Sequence, residues 1–241
     1  MKLAILSDIH GNREALEAVL VDVATQGVLA IACLGDFVGY GASPNDCISI
    51  LRPRVEVAVL GNHDVAALGR LRLGGFQSDA ATTARWTMEQ LEPGHREWLE
   101  SLPYTAQWHA LRLVHATPSE PEEWHYVMSI ADARVEFGAF RERVGLIGHS
   151  HVPGVFEADG AALTYTRAPA VALRAGRRYL VNVGSVGQPR DGDPRAAWML
   201  FDIERDALEH RRVTYDIERA GSRILEAGLP PFLAERLKWG E

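Results

Sequence analysis

Leu3-Ala4-Ile5-Leu6-Ser7-Asp8-Ile9-His10-Gly11-Asn12 is an apolar run that breaks into a carboxylate, an imidazole and a turn, and an amphipathic helix follows from about Arg13. Alternate residues of a strand share a face, so Asp8 and His10 at its end are expected on one side, where they can hold a cation. Alone, Asp-x-His is more often turn chemistry than a ligand pair. The same event recurs, however, along the chain. Ala30-Ile31-Ala32-Cys33-Leu34 runs into Gly35-Asp36, Val55-Glu56-Val57-Ala58-Val59-Leu60 into Gly61-Asn62-His63-Asp64, and Val144-Gly145-Leu146-Ile147 into Gly148-His149-Ser150-His151. Leu111-Arg112-Leu113-Val114 ends in His115. Ligands of open α/β sheets gather beyond the carboxyl ends of the strands, so five such endings point to one site.

Helical spacing of Ala15, Leu16, Val19, Leu20 and Val23, closed by Gly27, makes the first unit strand-helix-strand. Ser43-Pro44 opens a second helix, and helical patterns recur over 80–91, 93–102 and 130–140. After His151 the texture changes to short alternating strands, which predict an antiparallel second sheet packed on the first. A helical tail over about 216–241 is expected to pack outside, within a single domain spanning 1–241.

The 241 residues suffice for a sizeable core, and 25 basic against 32 acidic residues give a net charge of −7. That balance argues against general nucleic-acid binding and against a membrane-surface role. Met1-Lys2 leads straight into the first strand and no apolar run reaches spanning length, so the expectation is a cytoplasmic protein. The two cysteines, Cys33 and Cys47, read as reduced and structural.

In this order, Asp8-x-His10, Gly35-Asp36, Gly61-Asn62-His63-Asp64, His115 and Gly148-His149-Ser150-His151 resemble the calcineurin-like metallophosphoesterase superfamily. Gly35-Asp36-Phe37-Val38-Gly39-Tyr40-Gly41 and Gly184-Ser185-Val186-Gly187-Gln188-Pro189-Arg190 are similar to its small bacterial phosphodiesterase branch, and the match runs from Met1 to about Phe201. The resemblance implies an α/β fold, a four-layer αββα sandwich of two mixed sheets flanked by helices. It implies two metals, with Asp8, His10 and His151 on the first, Asn62, His115 and His149 on the second, and Asp36 bridging both. His63 would then face the phosphate while Asp64 orients its ring. Where protein phosphatases of the superfamily carry an arginine after the second motif, this chain has Gly39-Tyr40-Gly41. Tyr40 is therefore expected to border the pocket, and Arg190 to reach substrate phosphate unless it pairs with a nearby aspartate.

The residue types agree with that chemistry. Imidazole, carboxylate and one amide oxygen, without thiolate, suit Mn²⁺ first and Fe or Zn²⁺ next. Two such ions roughly 3.5 to 4 Å apart share a hydroxide and clamp the phosphoryl oxygens during in-line displacement. A protonated His63 paired with Asp64 would donate to the leaving oxygen. The expected activity is hydrolysis of a phosphate mono- or diester of a small, nucleotide-like molecule. Dinucleoside polyphosphate hydrolysis and protein serine/threonine phosphatase activity are the competing readings, and a scaffold of the same fold is the non-enzymatic one.

Overall fold

The computed structural model describes every residue from Met1 to Glu241. Strand β1 (Lys2–Leu6) passes through the first motif into α1 (Arg13–Thr25), and β2 (Ala30–Cys33) returns parallel to β1 with Leu3 opposite Ala30. Helix α1 begins where the Asn12 side chain accepts a hydrogen bond from the Ala15 amide at 3.1 Å, and its buried face is Ala15, Leu16, Val19 and Val23. Next come α2 (Pro44–Leu51), with proline in its first turn, and β3 (Val55–Ala58), parallel to β2. Three helices follow: α3 (Asn62–Ala67), α4 (Ser78–Gln90) and α5 (Pro93–Glu100). The hairpin β4 (Thr105–Trp108) and β5 (Leu111–Val114) leads through α6 (Ile130–Glu136) to β6 (Val144–Ile147), which lies parallel to β5.

Beyond His151 lie β7 (Gly154–Asp159), β8 (Ala162–Thr166), β9 (Ala170–Ala172), β10 (Arg178–Asn182), β11 (Ala196–Asp202) and β12 (Ala207–Val213). They do not build a sheet of their own, as their alternation suggests. Strands β11, β12 and β9 extend the first sheet, in the order β3-β2-β1-β11-β12-β9, and the others complete β4-β5-β6-β10-β7-β8. Alternation reports that one face is buried, and it carries no information about which edge a strand will pair with. The open edges of β1 and β6 decide, because their unpaired backbone groups need partners.

The period-two rule then makes the layers. Leu3 and Ile5 of β1 point between the sheets, toward Leu113, Leu146, Val181 and Met199, while Ala4 and Leu6 point outward to Leu16 and Val19 of α1. On the far side Val114, Ile147 and Leu180 meet Ala133 of α6 and Phe137 beyond it. The result is an αββα sandwich whose central strand, β1, is buried on both faces and so reads as continuously apolar. Each large aliphatic side chain buried this way contributes about 1.5–3 kcal/mol relative to exposure.

The tail forms α7 (Ile217–Glu226) and α8 (Pro231–Glu235), which return over α1, where Arg223 Nε meets Glu14 Oε1 at 2.5 Å. Their apolar face, Ile224, Leu229, Leu233 and Leu237, packs against Tyr40 and Trp86, so the tail also buttresses the loop after β2. No helix is long and apolar enough to cross a membrane.

Candidate metal centre

All the strand ends named above meet in one cleft, although the strand pleat does not aim their side chains. Strand β1 stops at Leu6, and Asp8 and His10 lie beyond it with φ of 54° and 50°. Asp36, Tyr40, His149 and His151 are also left-handed, at 53°, 57°, 63° and 60°. Such backbone costs about 1–3 kcal/mol per residue outside glycine and persists only where the surroundings over-determine it. Here Asp8 N donates to the Gly35 carbonyl at 3.0 Å, His10 N to that of Asp36 at 2.9 Å, and Gly187 N to that of Asp8 at 2.9 Å. The motif glycines permit the close approach: a Cβ on Gly61 would stand 2.0 Å from Asp36 Oδ1, and one on Gly148 2.5 Å from Asp8 Oδ2.

Each carboxylate is held by one oxygen. Asp8 Oδ2 accepts from the His149 amide at 3.1 Å and Asp36 Oδ1 from the His63 amide at 2.8 Å. The other oxygens, Asp8 Oδ1 and Asp36 Oδ2, are buried in the cleft without a hydrogen bond. Four imidazoles are held likewise, each by one nitrogen at a backbone carbonyl: His10 Nδ1 at Val38 (3.1 Å), His115 Nδ1 at Leu34 (2.8 Å), His151 Nδ1 at Gln188 (2.5 Å) and His149 Nε2 at Trp124 (2.9 Å). A nitrogen that donates there leaves its partner across the ring with a lone pair, which is how a metal-binding histidine is oriented. His10 Nε2 and His151 Nε2 consequently face each other at 3.1 Å, with Asp8 Oδ1 also 3.1 Å from His151 Nε2. Asn62 Oδ1 stands 3.2 Å from His115 Nε2, which is 3.3 Å from Asp36 Oδ2.

Lone pairs and orphaned carboxylate oxygens packed this closely repel one another unless positive charge lies among them. Burial opposes charge on Asp8 and Asp36, yet His151 and His115 around the first, and His115 and His63 around the second, hold both carboxyls well below their usual range. Burial also works against a charged His115, but Asp36 and Asp8 outweigh it and push its pKa up to about 9. His149 and His151 go the other way, to about 4 and about 3, through burial first, with His115 and Arg190 respectively adding to it. The donor atoms of Asp8, His10 and His151 form one group within 4.8 Å of each other, and those of Asp36, His115 and His149 a second. This set fits divalent cations of the Mn²⁺, Fe or Zn²⁺ kind.

His63 and Asp64 depart from expectation. Both oxygens of Asp64 are taken by backbone amides, those of Asp36 (2.8 Å), Gly61 (3.0 Å), Phe37 (2.9 Å) and Val38 (3.3 Å), so Asp64 fixes the loop that carries Asp36 and does not orient the His63 ring. Left without a carboxylate partner, His63 Nδ1 is buried and unbonded. Burial holds the ring's pKa well below its ordinary value, so it is neutral and not the imidazolium anticipated from sequence. His63 nonetheless lines the cleft, between Tyr40 at 4.4 Å and Phe76 at 5.3 Å, ring centre to ring centre.

The cleft opens into a cavity of about 340 Å³. Tyr40 and Arg190 both line it, and the Arg190 guanidinium lies 5.4 Å over the Tyr40 ring. Arg195, further along the same loop, is paired with Asp193 at 2.6 Å. Sequence reasoning missed the aromatic wall. Tyr126 stacks on His149 at 4.3 Å, while Phe76 and Trp124 complete the wall from irregular segments that have no periodicity to reveal them. Their one available signal was position, since Trp124 and Tyr126 follow the strand that ends in His115. His210, outside the cleft, lies on β12 with Nε2 2.8 Å from the Asn182 carbonyl.

A four-layer sandwich carrying a histidine-rich candidate metal centre at its strand ends defines a metallophosphoesterase-like class. The family model for the calcineurin-like phosphoesterase superfamily domain matches residues 1–206, and the chain belongs to that family, which is metal-dependent. It is 38% identical over 243 residues to the uncharacterized protein MJ0912 of Methanocaldococcus jannaschii, covering 99% of this chain and 98% of that one. Among solved structures, a metallophosphoesterase from Sphaerobacter thermophilus superposes with a TM-score of 0.90 at 38% identity, over 100% of this chain and 99% of the other. The hypothetical protein PH1004 from Pyrococcus horikoshii OT3 shares the fold at a TM-score of 0.80 and 20% identity, over 100% and 98% of the two chains.

Proposed function

We propose that this chain is a hydrolase that uses two divalent cations to cleave a phosphate mono- or diester of a small, nucleotide-like molecule. The observation that carries the reading is the facing pair His10 Nε2 and His151 Nε2, 3.1 Å apart beside the unbonded oxygens of Asp8 and Asp36. A decayed scaffold has no reason to keep donors in mutual repulsion. When bound, a pair of divalent ions supplies a water activated for in-line attack and neutralises the charge of the phosphoryl group.

The chain's own residues do the rest. Asp8, His10 and His151 would hold one ion, Asn62, His115 and His149 the other, and Asp36 would serve both. The backbone carbonyls of Val38, Leu34, Gln188 and Trp124 keep the four rings in the tautomer that leaves a lone pair inward. Neutral His63 donates a hydrogen bond to the phosphoryl or leaving oxygen, where charge develops. Asp64 acts as a positioning residue through the Asp36 loop. Tyr40 and the aromatic wall exclude water and give a flat leaving group a surface to rest on. The cavity's size suits a nucleotide, since pockets of roughly 300–1,000 Å³ bury ligands of that class.

The test is metal content by elemental analysis of the purified chain, followed by Mn²⁺-dependent hydrolysis of diadenosine tetraphosphate, cyclic nucleotides, p-nitrophenyl phosphate and a phosphopeptide. Two metals per chain with turnover of a small phosphoester are expected. Turnover of the phosphopeptide alone would transfer the assignment to a protein phosphatase, and inertness toward the whole panel would favour a scaffold.

A further inference from the structure

The cavity continues past the metal donors. Tyr40 and Arg190 also line an adjoining compartment of about 350 Å³, closed on its far side by Phe232 of α8 and by Arg236 just after that helix. Neither arginine meets a carboxylate side chain. Arg190 bonds the Gln188 side-chain oxygen at 2.8 Å, and half-buried Arg236 bonds the Glu241 carbonyl and lies 5.4 Å over the Phe232 ring. The aspartates beside Arg190 in sequence are taken elsewhere, Asp191 by Arg167 and Arg212, Asp193 by Arg195. Asp79, in the first turn of α4, is the one carboxylate lining the compartment, against two guanidiniums. Burial and the nearby charge of Arg190 push the Arg236 pKa below its ordinary value, against the pull of Tyr40, Glu241 and Asp79. Two guanidiniums thus face one hollow, Arg190 without any carboxylate contact and Arg236 held only through the Glu241 main-chain oxygen, an arrangement that can receive an anion.

We propose that this compartment binds a second anionic group of the substrate, so that the favoured phosphoesters carry two phosphates separated by a nucleoside-sized spacer. One phosphate lies at the metal donors and the other between Arg190 and Arg236, with Tyr40 as the partition. The proposal rests on the phosphoesterase reading of the adjoining centre. It also gives the tail a role in specificity, since Arg236 lies beyond the residues matched by the family model, 1–206.

Adenosine 3′,5′-bisphosphate and AMP differ by a single phosphate, and p-nitrophenyl phosphate carries no second anion. With the Mn²⁺-loaded full chain, kcat/KM for the bisphosphate is expected to exceed that for AMP by about tenfold, the size of one charge-assisted hydrogen bond. Arg236→Gln should bring that ratio near one through KM, leaving turnover of p-nitrophenyl phosphate unchanged, Arg236→Lys should retain part of it, and Arg190→Gln should collapse the same ratio whatever its effect on turnover of the other substrates. Thermal melting shows whether Arg236→Gln keeps the tail docked, and Arg190→Gln carries the test if it does not. Equal use of AMP and bisphosphate by the wild type, alongside hydrolysis of p-nitrophenyl phosphate, overturns the subsite and leaves the phosphoesterase reading intact. If none of the three is hydrolysed, it is the phosphoesterase reading that fails, and calorimetry decides the subsite. About tenfold tighter binding of the bisphosphate than of AMP then supports it, and equal affinity overturns it.

Discussion

Between the two sheets the chain follows its local rules, and a few residues further along the same strands it breaks them. Leu3, Ile5, Leu113, Leu146, Val181 and Met199 fill the inter-sheet layer with fully buried apolar side chains alternating at period two. At the strand ends, Asp8, His10, Asp36, His149 and His151 are equally buried, yet they are charged or polar and left-handed. The layer stabilises the fold with or without cations. The cleft gathers buried carboxylates and imidazoles whose donor atoms face one another, and that conflict is characteristic of sites built for function.

The contrast breaks or holds on one pair of substitutions. Asp36→Asn should abolish metal retention and lower turnover by about 10³-fold or more, because it removes the carboxylate oxygen 3.6 Å from His10 Nε2 and 3.3 Å from His115 Nε2 that would serve both proposed ions. The melting temperature of the metal-free protein should fall by less than in a core variant, since the loss of the charge that raises His115 is offset by removing a buried carboxylate oxygen that has no hydrogen bond. Leu113→Ala, in the layer, should instead cost about 2–5 kcal/mol of stability and leave kcat per folded molecule nearly unchanged. Melting in EDTA together with kcat in Mn²⁺ reads both. An Asp36→Asn protein that unfolds as early as Leu113→Ala would show that the cleft also carries the fold.

His63 sharpens the comparison within the cleft itself. If its part is a hydrogen bond to the phosphoryl group, His63→Asn should cost about 10²- to 10³-fold in kcat while metal content stays at its wild-type value. Joint loss of metal would make His63 a ligand, an alternative that geometry alone permits because its ligand atom lies within 4.8 Å of those of His10 and Asp36. The Asp64 contacts predict a further split. Asp64→Asn acts on the Asp36 loop and should disturb metal retention more than His63→Asn does.

What was legible in the sequence follows the same line. Apolar runs ending in Asp-x-His, Gly-Asp, Gly-Asn-His-Asp, His115 and Gly-His-Ser-His named seven residues that lie together in one cleft, because the parallel strands β1, β2 and β3, and β5 and β6, carry their carboxyl ends to one side. The reason for convergence was not legible. Positive φ at Asp8 and His10 is imposed by hydrogen bonds to Gly35, Asp36 and Gly187, residues distant in sequence. Pairing of the later strands escaped for a related reason, since Met199 sits opposite Ile5 through sheet closure and not through any local signal. The role of Asp64 was misjudged because adjacency to His63 suggested contact, whereas a side chain in the first turn of α3 reaches back to backbone amides. Arg236 was invisible, its meaning resting on where the tail docks.

The smallest expected effect is the dependence of stability on pH. In the metal-free protein burial pushes His149, His151 and His210 down to about 4, about 3 and about 4, from an ordinary value of 6.5. Below pH 6.5 the unfolded chain therefore takes up protons that the folded one refuses, and stability is lost as pH falls from 6.5 toward 4. His115, raised to about 9, has the opposite sign: its contribution is complete below 6.5 and disappears as pH rises through 9. Melting temperature without metal should thus peak near neutrality and decline on both sides. His210 lies outside the cleft, on β12, so His210→Gln should shorten the acid limb and leave the alkaline limb alone. Saturating Mn²⁺ should erase the alkaline limb, because a coordinated imidazole has already given up its proton. Calorimetric melting from pH 4.5 to 9, with and without Mn²⁺, measures each limb, and an alkaline limb indifferent to the cation would detach His115 from the metal centre.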